Sequence, residues 1–187
     1  MEEEKVREIE FADDDTQNVG MLFRLRILPL VVGLFMGVFL SFAASRFEEV
    51  IAKNVSVAFF IPFIVYLAAA VGAQTQSIYI RDLKTGKASF KKYLVKESAL
   101  GILFGLVFGL MSAVIVLLWF GSTEIAAAVS LALFCATGTA PLIALLVTEV
   151  LSLEHTDPAA GAGPIATAIQ DTVSVLIYGF IASAIIL

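Results

Sequence analysis

Asp171 is the one formally charged side chain in the closing apolar stretch, Pro164 to Leu187, and nothing nearby in sequence neutralises it. An ionisable group near the middle of a membrane helix costs about 2.5–3.5 kcal/mol on insertion scales, so it is rare unless it faces a partner or a water-filled path. Residues three and four apart share a helix face, which puts Pro164, Thr167, Asp171, Ser174 and Tyr178 on one stripe, with Ile165, Ile169, Val173, Leu176 and Ile177 mostly off it. Such a stripe suits a pathway wall or a helix contact, not lipid. Its carboxylate is protonated, paired with a distant base, or turned toward a cation. Two copies bringing Asp171 to a shared axis would match the charge of a divalent ion. Mg2+ prefers oxygen ligands and gives up water reluctantly, so one or two carboxylates with a retained water shell suit it. The same array admits Mn2+, Co2+ or Ca2+. A Cu or Zn site calls for softer ligands, and neither Cys135 nor His155 has a partner at ligand spacing.

The elements that must position this carboxylate are apolar. Hydrophobic residues make up 59% of the 187, against about 45–50% in soluble domains. Mean hydropathy is +0.95. Besides the closing stretch, Ile27 to Ser45, Val55 to Ile80, Ser98 to Phe120 and Ile125 to Thr148 each approach the roughly 20 residues that cross a bilayer as a helix. The expected fold is an all-α integral membrane protein with five transmembrane helices, residues 21–187, behind an acidic cytosolic tail, residues 1–20. That tail holds eight acids and two bases, the reverse of a signal peptide. The lone Cys135 permits no disulfide framework.

With the N-terminus in the cytoplasm, ten Lys and Arg fall on that side and only Arg46 and Lys53 outside. An odd number of spans then places the C-terminus outside, in a cell (inner) membrane. Pro29 is expected in the first turn of the first helix, and Arg46 to Asn54 as an exterior loop. The second helix is read as broken at Pro62 and at the run Gly72-Ala73-Gln74-Thr75-Gln76-Ser77, whose polarity at membrane depth belongs in protein or along a cavity. Arg81 to Lys96 is read as a basic loop and Glu149 to Gly163 as an acidic one. Gly101, Gly105 and Gly109, like Gly33 and Gly37, have the spacing of close-packed helix faces. Gly138 and Pro141 mark a possible kink, and Trp119-Phe120 an interfacial anchor.

These features resemble the transmembrane domain of the MgtE family of magnesium transporters and channels, over nearly everything from Arg24 to Leu187. The matching motifs are Arg26-Ile27-Leu28-Pro29, Phe47-Glu48, Ile61-Pro62, Lys96-Glu97 and a closing Asp157-Pro158-Ala159, Pro164, Thr167, Asp171. The family's Gly-Asn-Ala-Gly-x-Gln-[Ser/Thr] signature aligns with Ala69-Ala70-Val71-Gly72-Ala73-Gln74-Thr75 and continues to Arg81-Asp82-Leu83; Ala70 replaces the signature Asn. The resemblance implies a homodimer in which helices 2 and 5 line a cation path. It implies Asp171 of each protomer as the ligand of a largely hydrated Mg2+, the transported ion, with no cofactor. Thr167 and the segment Gly72, Ala73, Gln74, Thr75 become pore-lining candidates, joined by Ser174 from the polar stripe.

Most bacterial relatives also carry a cytosolic domain and paired CBS domains that gate the pore. Neither is read in this sequence, so gating is expected from the tail, the acidic loop or a separate regulatory subunit. The expected function is potential-driven, channel-like passage of divalent cations. Three alternatives stand beside it: proton- or sodium-coupled exchange, a non-transporting regulatory membrane subunit, and an enzyme. The last is disfavoured because no His lies in a span and Asp171 has no second carboxylate in its helix. No nucleic-acid partner is expected.

Overall fold

Hydrocarbon offers no hydrogen-bond partner to a peptide group, so each spanning segment must satisfy its own backbone, and apolar runs of this length do so as α-helices. The computed structural model describes residues 15–154 and 158–187. His155, Asp157 and most of the acidic tail lie outside the described residues. Six helices run in the order α1 (Val19–Ser45), α2 (Glu48–Lys53), α3 (Ser56–Lys84), α4 (Phe90–Phe120), α5 (Thr123–Leu153) and α6 (Pro158–Ile186). All but α2 are long and apolar enough to cross a membrane. The expected all-α, five-span architecture is what the chain adopts.

The helix ends differ from the sequence expectation. The basic loop shrinks to residues 85–89, because α3 runs to Lys84 and α4 starts at Phe90. The acidic connection likewise gives way to α5, which reaches Leu153, and α6, which takes in Gly163. Polar residues at a helix end remain helical when the end stands in the interface, where water and headgroups receive them. Pro29 is an interior residue of α1, not a first-turn one, because that helix begins at Val19 under a cap in which Asn18 accepts the Met21 N–H at 3.0 Å. Nor is α3 broken. It continues through Pro62 and through the polar run, where Thr75 and Ser77 lie 3.3 and 2.8 Å from the carbonyls of Val71 and Ala73 one turn back. α5 is also continuous through Gly138 and Pro141.

The connection between α1 and α3, read from sequence as a loop, contains the short α2, anchored by Phe47 and Val50, both buried. Phe47 lies flat over Gly179 of α6, where an added Cβ would meet its ring at 2.3 Å. At the α4–α5 turn, Gly121 takes φ +66° and the Ser122 hydroxyl accepts the Ile125 N–H at 3.3 Å.

α5 is the central mast, in contact with α3, α4 and α6, while α1 rests on α6. One face of α5 carries Ala128, Ala132, Ala136, Ala140 and Ala144 at four-residue spacing, all essentially buried. Another presents the carbonyls of Ser130, Phe134 and Gly138 to the α4 glycines. A Cβ on Gly101, Gly105 or Gly109 would stand 2.9, 2.7 or 3.0 Å from those oxygens. The expected close packing of the α4 glycine face is therefore seen. Gly33 and Gly37 of α1, by contrast, have nothing of the described chain within 4 Å of a Cβ built there.

α3 and α4 both flank α5 but scarcely touch one another. What joins them is a few aromatic contacts, Phe60 edge-on to Phe120 at 5.1 Å and Tyr79 against Tyr93 at 4.8 Å, and a buried hydrogen bond. The Thr75 hydroxyl donates to Glu97 Oε2 at 2.7 Å, with both residues buried. Tyr178 of α6 similarly donates to the Val57 carbonyl of α3 at 2.9 Å.

Two outcomes follow from these contacts. Gly105→Val forces α4 off the Phe134 carbonyl and lowers stability by about 1–3 kcal/mol, read as earlier thermal unfolding in detergent. Thr75→Val keeps the shape but strands the Glu97 carboxyl and lowers stability by about 1–3 kcal/mol; adding Glu97→Leu in the same chain recovers part of that loss.

Candidate cation site

Asp171 falls at the midpoint of α6, so when that helix crosses the bilayer its carboxyl lies near the centre. The residue is half-buried, and its Oδ1 is buried with no hydrogen-bond partner among the described residues. Burying an unsatisfied carboxyl oxygen is expensive, and in lipid more so. No hydrogen bond among the described residues offsets that cost at Oδ1, and no group of three or more His, Cys, Asp or Glu gathers there to hold an ion.

The polar stripe on α6 changes character along its length. Thr167 is exposed, Asp171 is intermediate, and Ser174 and Tyr178 are buried. Ser174 accepts a hydrogen bond from Gln170 Nε2 at 3.0 Å, and the same nitrogen lies 3.2 Å from the Ala136 carbonyl of α5. The α3 candidates divide in the same way. Ala73 and Gln74 are exposed, whereas Gly72 sits on the Ala140 carbonyl, 3.4 Å from a Cβ placed there, and Thr75 is committed to Glu97. Thr167, Ala73 and Gln74 are thus exposed and Asp171 half-exposed, while Gly72, Thr75 and Ser174 are buried within the bundle.

Between these two helices and α5 is a cavity of about 20 Å³ bordered by Gly72, Ala73, Gln76, Ala140, Thr167 and Gln170. It has room for about one water. Gln170 Oε1 is buried there without a hydrogen-bond partner, and Gln76 Nε2 lies 3.4 Å from Thr148 Oγ1. Gln76, read within the polar run as belonging in protein or along a cavity, does border one, whereas Gln170 here and Glu97 beside Thr75 were not picked out as site residues by reasoning that followed the Asp171 stripe. The signal was present: amide and carboxyl side chains within or beside apolar runs need buried partners. At the end of the bundle shared by the α3–α4 and α5–α6 connections, Tyr79 donates to Glu149 Oε2 at 2.5 Å.

The chain is similar in sequence to proteins of one family. The family model described as a divalent cation transporter, MgtE, matches residues 61–181. Among curated proteins, the magnesium transporter MgtE of Bacillus subtilis is 28% identical over 86% of this chain and 37% of its own length. That of Enterococcus faecalis is 31% identical over 84% and 36%, and that of Thermus thermophilus 25% over 84% and 35%. The chain therefore spans little more than a third of the length of these relatives. The matched segment runs from the second turn of α3 almost to the end of α6 and includes Asp171, and on that match the chain is a multi-pass membrane protein that belongs to the MgtE family.

Proposed function

We propose that this chain carries divalent cations, Mg2+ foremost, across the membrane along a path between two copies of itself, with Asp171 of each protomer facing a largely hydrated ion. The observation that carries the reading is the mid-membrane Asp171 carboxyl, with one oxygen buried and unpartnered. The names of the relatives, magnesium transporters, support the choice of ion.

Size supports a path between protomers over one inside a protomer. A hexahydrated Mg2+ brings six waters. The cavity beside Gly72 and Gln170, about 20 Å³, has room for about one. The outward residues Thr167, Ala73 and Gln74 then contribute to the wall, and Gly72, Thr75 and Ser174 hold that wall in place. On this reading the N-terminus is cytoplasmic and the C-terminus outside. Movement is driven by the membrane potential, which supplies about 4.6 kcal/mol per 100 mV for a divalent charge.

The test is Mg2+ flux into liposomes that contain only this protein, at an imposed potential and without a pH or sodium gradient. Wild-type protein takes up Mg2+, and Asp171→Asn falls to the level of protein-free liposomes. Asp171→Asn nevertheless unfolds at no lower temperature than wild type, because it removes an unpartnered carboxyl from the apolar interior. Normal uptake by a well-folded Asp171→Asn protein overturns the site. Uptake that demands an opposing proton or sodium gradient replaces the channel with an exchanger, and no uptake by wild type points to a subunit that needs a partner.

A further inference from the structure

A cleft opens where α3 and α4 diverge. Its volume is about 350 Å³, and Asp82, Lys87, Lys92, Tyr93, Lys96 and Glu97 border it. Its inner end is closed by the hydrogen bond between Thr75 and Glu97. Toward the hydrocarbon it is bordered by Ile78 and Leu100, each about two-fifths exposed.

Charge decides what this cleft can receive. The Asp82 carboxylate is already held by the Tyr93 hydroxyl at 2.5 Å and by Arg81 Nε at 2.9 Å. Glu97 accepts from Thr75. Lys92 and Lys96 enter no ion pair among the described residues. With Arg81 included, four cations stand against two carboxylates, so the cleft repels a divalent cation and attracts an anion.

The start of α4 agrees. Its first turn places Lys92 on the cleft and holds no acid, and the Ser89 side chain caps no backbone N–H. Cations at the positive end of a helix are unfavourable by themselves, and an anion beside them reverses the sign. The apolar edge at Ile78 and Leu100 selects among anions. A soluble anion has no use for it, whereas a phospholipid lays its acyl chains there while its phosphate reaches the lysines. Basic pockets between membrane helices bind acidic headgroups in this manner.

We propose that the α3–α4 cleft binds the headgroup of an anionic phospholipid, with Lys92 and Lys96 on the phosphate and the acyl chains along Ile78 and Leu100. The inference is independent of the cation path. Native mass spectrometry of the full chain in detergent, titrated with phosphatidylglycerol or phosphatidylcholine of matched chains, tests it. Wild-type protein retains phosphatidylglycerol preferentially. Lys92→Gln and Lys96→Gln each weaken that retention by about five-fold, the effect of one lysine near an anionic lipid, and leave phosphatidylcholine unchanged. Lys91→Gln removes the same charge one residue away, outside the cleft, and retains the preference. Equal retention of the two lipids, an equal loss from Lys91→Gln, or displacement of phosphatidylglycerol by inorganic phosphate at the same concentration overturns the proposal. All three lysines are exposed, so the variants fold.

Discussion

Water is absent from the bilayer core, and a polar group there must find its partner in protein or face a path that readmits water. Most of this molecule's interior follows from that constraint. Thr75 meets Glu97, Tyr178 meets the Val57 carbonyl, and Gln170 meets both Ser174 and the Ala136 carbonyl. All but the Gln170–Ser174 bond, which lies within α6, join different helices. The polar residues therefore set the register of the bundle, and the apolar ones fill it.

Filling it is the task of α5. Lipid is as apolar as leucine, so helices associate through close dispersion contact, which small residues permit. The alanine ladder from Ala128 to Ala144 lets α3 and α6 approach one face. The Ser130, Phe134 and Gly138 carbonyls receive the α4 glycines on another. With two faces spent on backbone-to-backbone approach, α5 is the most buried span, at 50% of its apolar window, and α1 the least, at 11%. Neighbours that bind a common mast need not bind each other, which is why α3 and α4 part to leave a cleft.

The five spans and the central depth of Asp171 were legible in the sequence because both depend on local quantities, apolar run length and the position of one charge within it. The α4 glycine face was legible for the same reason, as a spacing. The continuity of α3 was not. Pro62 and the polar run look like breaks when backbone partners are counted along one strand of sequence, yet Thr75 and Ser77 return to their own helix and Gln76 and Thr75 also reach across to others. The anchoring of α2 depends on Phe47 meeting Gly179, residues far apart in the chain. The separation of the site candidates into outward and packed residues depends equally on which neighbour covers each face.

That separation explains where the carboxylate points. A stripe built from steps of three and four drifts around a helix of 3.6 residues per turn, and on α6 it turns from exposed Thr167 to buried Ser174 and Tyr178. Asp171 lies at the crossing. The bond of Gln170, its immediate neighbour, to the Ala136 carbonyl fixes the rotation of α6 against α5. Were α6 free to roll, a charged side chain would turn toward whatever hydrated it best, and no particular direction would be favoured. Held by its neighbour, Asp171 keeps one oxygen sealed and unpartnered at the edge of the packed face. An amide bonded through its nitrogen thus imposes on the neighbouring carboxyl a position it would not choose alone, and on the proposed reading that position is what lets it meet an ion.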